Sequence, residues 1–265
     1  MSETSSDDTA FAPPPRAALV TGAAHRIGRT IALGLGNDGW AVAVHYSRSK
    51  PQAQEIVDEI TGTGGRAVAL AADLADEDET AGLVPRAAKA LGPLGCLVNN
   101  ASQFEADDPA TATRESWDTH MGVNLRAPFV LTQGFAAQVP AETGGCVVNI
   151  IDQRVWNLTP FFTTYTLSKA GLWTLTQTLA LALAPRIRVN AIGPGPTLAS
   201  ARQTPAQFTR QWQSTPLQRR TPTEEICAAV RFLLSAPAMT GQMMALDGGQ
   251  HLGWAQLDRD YLPEE

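Results

Sequence analysis

Residues 17–28, Ala17-Ala18-Leu19-Val20-Thr21-Gly22-Ala23-Ala24-His25-Arg26-Ile27-Gly28, decide the fold. An apolar run without polar alternation reads as a strand buried on both faces. Thr21-Gly22 turns the chain. From there Ile27, Ile31, Leu33 and Leu35 recur at helical spacing until the stop near Gly39. Outward from this unit the pattern repeats. Strands are predicted at Trp40–Tyr46, Ala67–Ala71, Leu94–Asn99, Cys146–Ile151, Ile187–Ile192 and near Gln242–Leu246. Helices are predicted at Gln52–Ile60, Glu77–Leu91, Thr163–Ala184 and near Glu224–Leu234, with one long helix within Arg114–Val139. Alternating short apolar strands and helices imply one α/β domain, a doubly wound parallel sheet with helices on both faces and ligands at the strands' carboxyl ends. The segment 194–222, rich in proline and polar residues, interrupts the alternation and reads as a substrate-covering loop, in part helical.

Composition narrows the function classes. The 265 residues are 44% hydrophobic and 17% charged, enough for a buried core, and no apolar run is long enough to span a membrane. The net charge of −6 sits in the tails: residues 1–10 hold three acids and no base, and residues 258–265 hold four acids and one base. The 19 acids and 19 bases left between them cancel, so neither nucleic acid nor an anionic membrane is expected as a partner. Three distant cysteines, Cys96, Cys146 and Cys227, give neither a disulfide framework nor a metal spacing. His25, His120 and His251 show no metal or triad spacing and read as structural or surface residues, so no metal is expected. Residues 1–15 read as a disordered leader without a secretion signal, which points to the cytoplasm, 16–254 as the domain and 255–265 as a tail.

The turn after the first strand points to an anion. Gly22 and Gly28 span a strand-to-helix junction where backbone N–H groups can approach a pyrophosphate. The plainer reading is an ordinary turn with a solvated arginine. The second strand ends in His45-Tyr46-Ser47-Arg48-Ser49, where a dinucleotide fold meets the adenosine ribose. No acid stands there to bind a 2′-hydroxyl, and Arg48 with two serines suits a 2′-phosphate, so NADP(H) is expected over NAD(H). Farther on, Tyr165-Thr166-Leu167-Ser168-Lys169 puts a phenol and an ammonium on one helix face at i and i+4. A nearby ammonium favours the ionised phenol and so makes it a usable acid or base.

These motifs resemble the Rossmann-like short-chain dehydrogenase/reductase family over about residues 16–250. The glycine turn resembles its Thr-Gly-x-x-x-Gly-x-Gly loop, with Arg26 in the place of the middle glycine and Ile27 and Gly28 following. Asn99-Asn100-Ala101-Ser102 resembles its Asn-Asn-Ala-Gly, with serine for glycine, and Ile192-Gly193-Pro194-Gly195 its Pro-Gly loop, followed by Thr197. The resemblance implies cofactor contacts at Gly22, Arg26, Ile27, Gly28, His45 through Ser49, Asp73, Leu74, Asn100 through Ser102, Tyr165, Lys169, Pro194, Gly195 and Thr197. Asp73 would bind adenine; as a plainer alternative it caps the helix before Glu77. Asn124, Tyr165 and Lys169 match the catalytic tetrad, whose serine position holds Asp152. The resemblance also implies a homotetramer, with Trp254 and the last residues reaching a neighbouring subunit.

Four departures coincide: Arg26, His45-Tyr46-x-Arg48-Ser49, Ser102 with Phe104, and Asp152. Together they resemble the pteridine reductases and the related dihydromonapterin reductases. That implies NADPH-dependent reduction of a pterin C=N bond. Arg26, Ser102, Phe104, Asp152 and Tyr165 would hold the ring, with Phe104 stacked on one face. Tyr165, Lys169 and a water on Asn124 would relay the proton, supported by Asp152. Two rivals are a carbonyl reductase of the same family, which has no need of Phe104, and a non-catalytic NADP-binding regulator, which has no use for the Tyr165/Lys169 pair. Each singled-out side chain also has a bland reading, Phe104 as core and Asp152 as a turn cap.

Overall fold

The computed structural model describes residues 11–200 and 202–253. Seven strands form one parallel sheet in the order β3-β2-β1-β4-β5-β6-β7: β1 Ala17–Val20, β2 Ala41–Tyr46, β3 Ala67–Ala71, β4 Cys96–Asn99, β5 Gly145–Ile150, β6 Ile187–Pro194 and β7 Met243–Leu246. Eight helices accompany them: α1 Arg26–Asn37, α2 Lys50–Gly62, α3 Glu77–Leu91, α4 Arg114–Met121, α5 Ala127–Gln138, α6 Thr163–Leu183, α7 Pro205–Gln213 and α8 Thr223–Ser235. The strand order reverses direction between β1 and β4, so the carboxyl ends of those strands flank the crevice where ligands enter such sheets.

Strand periodicity divides the core. Ala18, Val20, Val42, Val44, Val98 and Val148 face α1, α2 and α8, where Ile31, Leu35, Ile56, Ile60 and Val230 meet them. Leu19, Ala43, Leu97, Val147 and Val189 face the other way, onto Leu83, Leu131, Phe135 and Leu179 of α3, α5 and α6. Both faces of the sheet are therefore dry, as expected for strands without polar alternation. Cys96 and Cys146 pair in register between β4 and β5 as small buried thiols.

Two expectations are corrected. The long helix within Arg114–Val139 is interrupted by a π-helical turn, Gly122–Arg126, which ends α4 and restarts as α5. Asn124 lies in that turn, where its carboxamide supplies bonds to the neighbouring loop. Residues 11–15, read as leader, are anchored: the Ala12 N–H donates to the Glu142 carbonyl, Ala12 bridges Thr143, and Pro14 and Pro15 pack against Gly95. The rest of the leader, Trp254 and the tail lie outside the described residues. The loop 194–222 contains α7, opened by a Thr204/Gln207 capping box.

Candidate active site

The glycine turn is fixed by buried side chains. The Thr21 hydroxyl accepts from the Asn100 and Ala101 N–H groups, and the Asn100 carboxamide donates to the Thr21 and Gly22 carbonyls. Gly22 adopts φ +59, and a Cβ on Gly28 would meet the Gly22 carbonyl oxygen at 2.3 Å and Asn100 at 2.5 Å, so only glycine fits there. His45 holds the turn from β2. Its Nδ1 accepts from the Gly22 N–H at 3.0 Å, and its Nε2 lies 3.1 Å from the Ala72 carbonyl oxygen. Both ring nitrogens are thus committed to backbone. His45 supports the glycine turn from the cleft wall, with no ring nitrogen left to bond a cofactor. Burial pushes its pKa down to about 4, so the ring is neutral at pH 7.

Arg26 has φ +53, which explains why glycine stands there in the resembling pattern. A side chain in that conformation costs about 1–2 kcal/mol. Its guanidinium crosses the cleft and donates to the Leu198 and Ala199 carbonyls at 3.0 and 2.8 Å.

A cleft of about 650 Å³ opens between these ends of the sheet. Gly22, Arg26, Ile27, Gly28, His45, Ser47, Asp73, Leu74, Asn100, Ala101, Ser102, Phe104, Asp152, Tyr165, Lys169, Pro194, Gly195 and Thr197 line it. An adjoining cavity adds Tyr46, Arg48 and Ser49. Arg48 is exposed and engages no other described residue. Asp73 accepts from the Ala75 N–H, while the cap of α3 is Asp76.

Asn124 is the exception among the expected site residues. It is fully buried behind the wall, and all four hydrogen-bonding positions of its carboxamide are filled: it donates to the Gln103 carbonyl and Ser168 Oγ and accepts from the Gln103 N–H and Ser102 Oγ. Its side chain therefore holds the segment after β4 and has no capacity for a relay water.

The reactive groups converge at the end of β5. Asp152 follows the strand and caps a short 3₁₀ turn through the Arg154 N–H at 2.8 Å. Its other oxygen accepts from the Tyr165 hydroxyl at 3.0 Å. Asp152 is both the turn cap of the plainer reading and a partner of the phenol. Lys169 lies one helical turn beyond Tyr165, its Nζ 5.8 Å from the Tyr165 ring centroid and donating to the Ile150 carbonyl at 3.0 Å. Burial lowers the lysine pKa to about 8, against the opposing pull of Asp152. Phe104 stands edge-on to Tyr165 at 4.7 Å between centroids and is half-buried on the cleft wall. Phe162 stacks on it at 4.7 Å with planes 8° apart, and the Arg202 guanidinium lies 5.4 Å from its centroid.

A polar annex of about 140 Å³ continues from the cleft past Asp152. Gln153, Arg154, Gln203, Gln211 and Gln250 line it, and the Gln153 carboxamide, 7% exposed, makes no hydrogen bond among the described residues. The sequence marks Gln153 and Arg154 as neighbours of the pocket without a role, whereas Phe162, Arg202, Gln203, Gln211 and Gln250 escaped sequence reading, for no periodicity or spacing connects residues from such separate segments.

A doubly wound sheet with a glycine turn at its switch point and a Tyr/Lys pair beside the cleft defines a dinucleotide-dependent oxidoreductase. The chain matches the family described as enoyl-(acyl carrier protein) reductase over residues 22–251. A short-chain type dehydrogenase/reductase of Picea abies is 33% identical over 89% of this chain and 92% of its own length. The 3-oxoacyl-[acyl-carrier-protein] reductase FabG of Staphylococcus aureus is also 33% identical, over 89% of this chain and 98% of its own. Among solved structures, the FolM alternative dihydrofolate reductase 1 of Brucella canis, complexed with NADP, superimposes with a TM-score of 0.88 at 48% identity, covering 92% of this chain and 96% of that one. The chain belongs to the short-chain dehydrogenase/reductase family and is an oxidoreductase.

Proposed function

We propose that the protein is an NADPH-dependent reductase of a pterin C=N bond. The donor set fits the cofactor. Backbone N–H groups of the 22–28 turn and the N-terminus of α1 suit the pyrophosphate. Arg48, which makes no side-chain hydrogen bond or ion pair among the described residues and is flanked by Ser47 and Ser49, suits a 2′-phosphate. Tyr165 and Lys169 would face the nicotinamide side, and Pro194, Gly195 and Thr197 would close over it. When bound, NADPH supplies the hydride.

The observation that carries the substrate reading is the convergence of Phe104, Tyr165 and Asp152 within one wall. Phe104 would offer a flat heterocycle the face that Phe162 leaves uncovered, with the Arg202 guanidinium, now 5.4 Å from its centroid, moving aside. In this structure the Tyr165 hydroxyl donates its one proton to Asp152, which holds the phenol at the cleft wall; with substrate bound, that hydroxyl would turn its proton from Asp152 to the imine nitrogen. That proton passes to the imine nitrogen, and a C=N carbon accepts hydride more readily once its nitrogen is protonated. Lys169, still an ammonium at neutral pH, places positive charge behind the phenol. Arg26 stands at the junction of cleft and annex, in reach of a polar ring edge and of a cofactor phosphate. The Brucella FolM neighbour supports the same reading, since the dihydrofolate of its name carries a dihydropterin ring. A tetramer belongs to this reading too. The apolar outer face formed by Leu125, Phe129 and Leu175 supports it.

The test is NADPH oxidation by the purified protein with 6-methyl-dihydropterin, dihydrofolate, quinonoid dihydropterin and a panel of small ketones. Turnover of a dihydropterin with little or none of the ketones is expected. Ketone turnover without pterin turnover would replace the reading with a carbonyl reductase, and cofactor binding without any turnover with a regulator.

A further inference from the structure

His120 is the one buried histidine near the site that the chemistry above leaves unused. It is fully buried on the last turn of α4, and its ring centroid lies 5.9 Å from that of Tyr165. Its Nε2 accepts from the Glu105 N–H at 3.0 Å, and its Nδ1 lies 2.7 Å from Thr164 Oγ1. A ring that accepts at Nε2 carries its proton on Nδ1 when neutral, so it donates to Thr164. The Thr164 hydroxyl in turn bonds the Asp107 carboxylate. Asp107 caps α6 from a distance: its backbone carbonyl accepts from the Phe162 and Thr163 N–H groups, and its other carboxylate oxygen accepts from the Thr164 N–H at 3.1 Å. No side chain within α6 caps that end, and Phe162, at φ +59, is held there by these bonds.

The two residues His120 touches are the chain neighbours of the two that shape the substrate slot. Glu105 follows Phe104, and Thr164 precedes Tyr165. We propose that His120 is a positioning residue, whose imidazole fixes the spacing between the Phe104 ring and the Tyr165 hydroxyl. The neutral tautomer satisfies both neighbours at once. Protonation at Nε2 sets two donors against each other at Glu105 and releases the segment carrying Phe104, while the donation to Thr164 persists. The slot therefore loosens on the Phe104 side in acid. The charged and titratable groups that face the ring are Glu105 and Asp107 from the segment after β4, and Lys169 and Tyr165 from α6. Burial and Lys169 hold its pKa below the ordinary histidine value against the two acids, so the latch is closed at neutral pH.

The structural arm of the test is independent of any substrate, and only the kinetic arm rests on the proposed pterin activity. Full-length wild type, His120→Ala and His120→Gln are compared by hydrogen exchange across 102–108, by NADPH affinity, and by KM and kcat with 6-methyl-dihydropterin from pH 5 to 8. In His120→Ala, exchange across 102–108 is expected to quicken and the pterin KM to rise by about 10-fold, the scale of one lost hydrogen bond. NADPH affinity should stay within about twofold, well inside that scale. His120→Gln keeps an acceptor for Glu105 and should recover part of both effects. The wild-type KM should rise toward the acid end of that range, and that acid limb should vanish in His120→Gln. Unchanged exchange and KM in His120→Ala would overturn the proposal, as would an equal loss of NADPH affinity. If His120→Ala does not fold, the missing acid limb in His120→Gln decides. If exchange responds as expected but no dihydropterin is turned over by the wild type, the substrate reading fails and the positioning role stands.

Discussion

The two walls of the cleft are built on different principles. The cofactor wall, from Gly22 to Arg48 and across to Asn100, is held by bonds between backbone and side chains that are buried or half-buried: Thr21, His45 and Asn100 each bind main-chain atoms. The substrate wall is a stack of large side chains. Arg154 lies 4.9 Å from the Phe162 ring centroid, Phe162 stacks on Phe104, and Arg202 approaches Phe104 while pairing with Glu105 at 2.8 Å. The first construction leaves little to adjust, because a displaced carbonyl loses its partner in a dry interior. The second tolerates sliding, because stacking and half-exposed ion pairs are shallow and adaptable.

The contrast is sharpened first where the walls meet. Replacing Tyr165 by Phe removes the proton that Asp152 holds and nothing from the cofactor wall. Turnover should fall at least ~100-fold while NADPH affinity is preserved. Single-turnover absorbance at 340 nm and fluorescence titration separate the two, and near-normal turnover would remove Tyr165 from the mechanism.

The cofactor wall should fail as a unit in acid. His45 has a pKa near 6.5 in the unfolded chain and about 4 in the folded protein. Between those values the unfolded state binds the extra proton, so stability is full above pH 6.5 and falls as the pH drops through the window. The shift corresponds to roughly 3 kcal/mol. Urea titrations at pH 7 and pH 4.5 measure it, and His45→Gln should flatten the slope. An unchanged slope in that variant would mean that other groups carry the acid sensitivity.

Cofactor choice comes next in size. Arg48→Ala should cost NADPH about 1.5–3 kcal/mol of affinity and NADH little, because only one has a 2′-phosphate for the guanidinium. Equal losses would show that Arg48 does not read the phosphate. The substrate wall should give the mildest response. Phe104→Ala removes stacking worth about 0.5–1.5 kcal/mol and should raise the pterin KM by a few-fold with NADPH affinity intact. A loss of NADPH affinity there would merge two walls that the structure keeps separate.

How much of this was legible beforehand follows the same division. The strands could be read because burial on both faces demands unbroken apolar runs, and the cofactor turn because glycine marks backbone that no other residue can occupy, as at Gly22 and Gly28. The Tyr165/Lys169 pair could be read because helix geometry fixes i and i+4. Asn124 was found by its place in a motif, but what its side chain does was not legible: nothing in Gly122-Val123-Asn124-Leu125 tells that the helix widens there or that the carboxamide will be saturated. His120 was set aside as a surface or structural residue because its partners lie 15 and 44 positions away.

What the sequence by itself determined is therefore what depends on neighbours along the chain: the alternation of strands and helices, the glycine turn at the switch point, the helix face that carries Tyr165 and Lys169, and the absence of an acid at the end of β2. Only the tertiary structure decided what depends on neighbours across space. It brought Phe162 onto Phe104, carried Arg26 over to Leu198 and Ala199, left the Gln153 amide oxygen without a hydrogen-bond partner among the described residues, and filled both nitrogens of His45 and His120. The physical reason is range. Propensity and periodicity act over one or two turns of chain, whereas a stack or a buried hydrogen bond is made by whichever side chains the packed sheet and helices deliver to the same few ångströms.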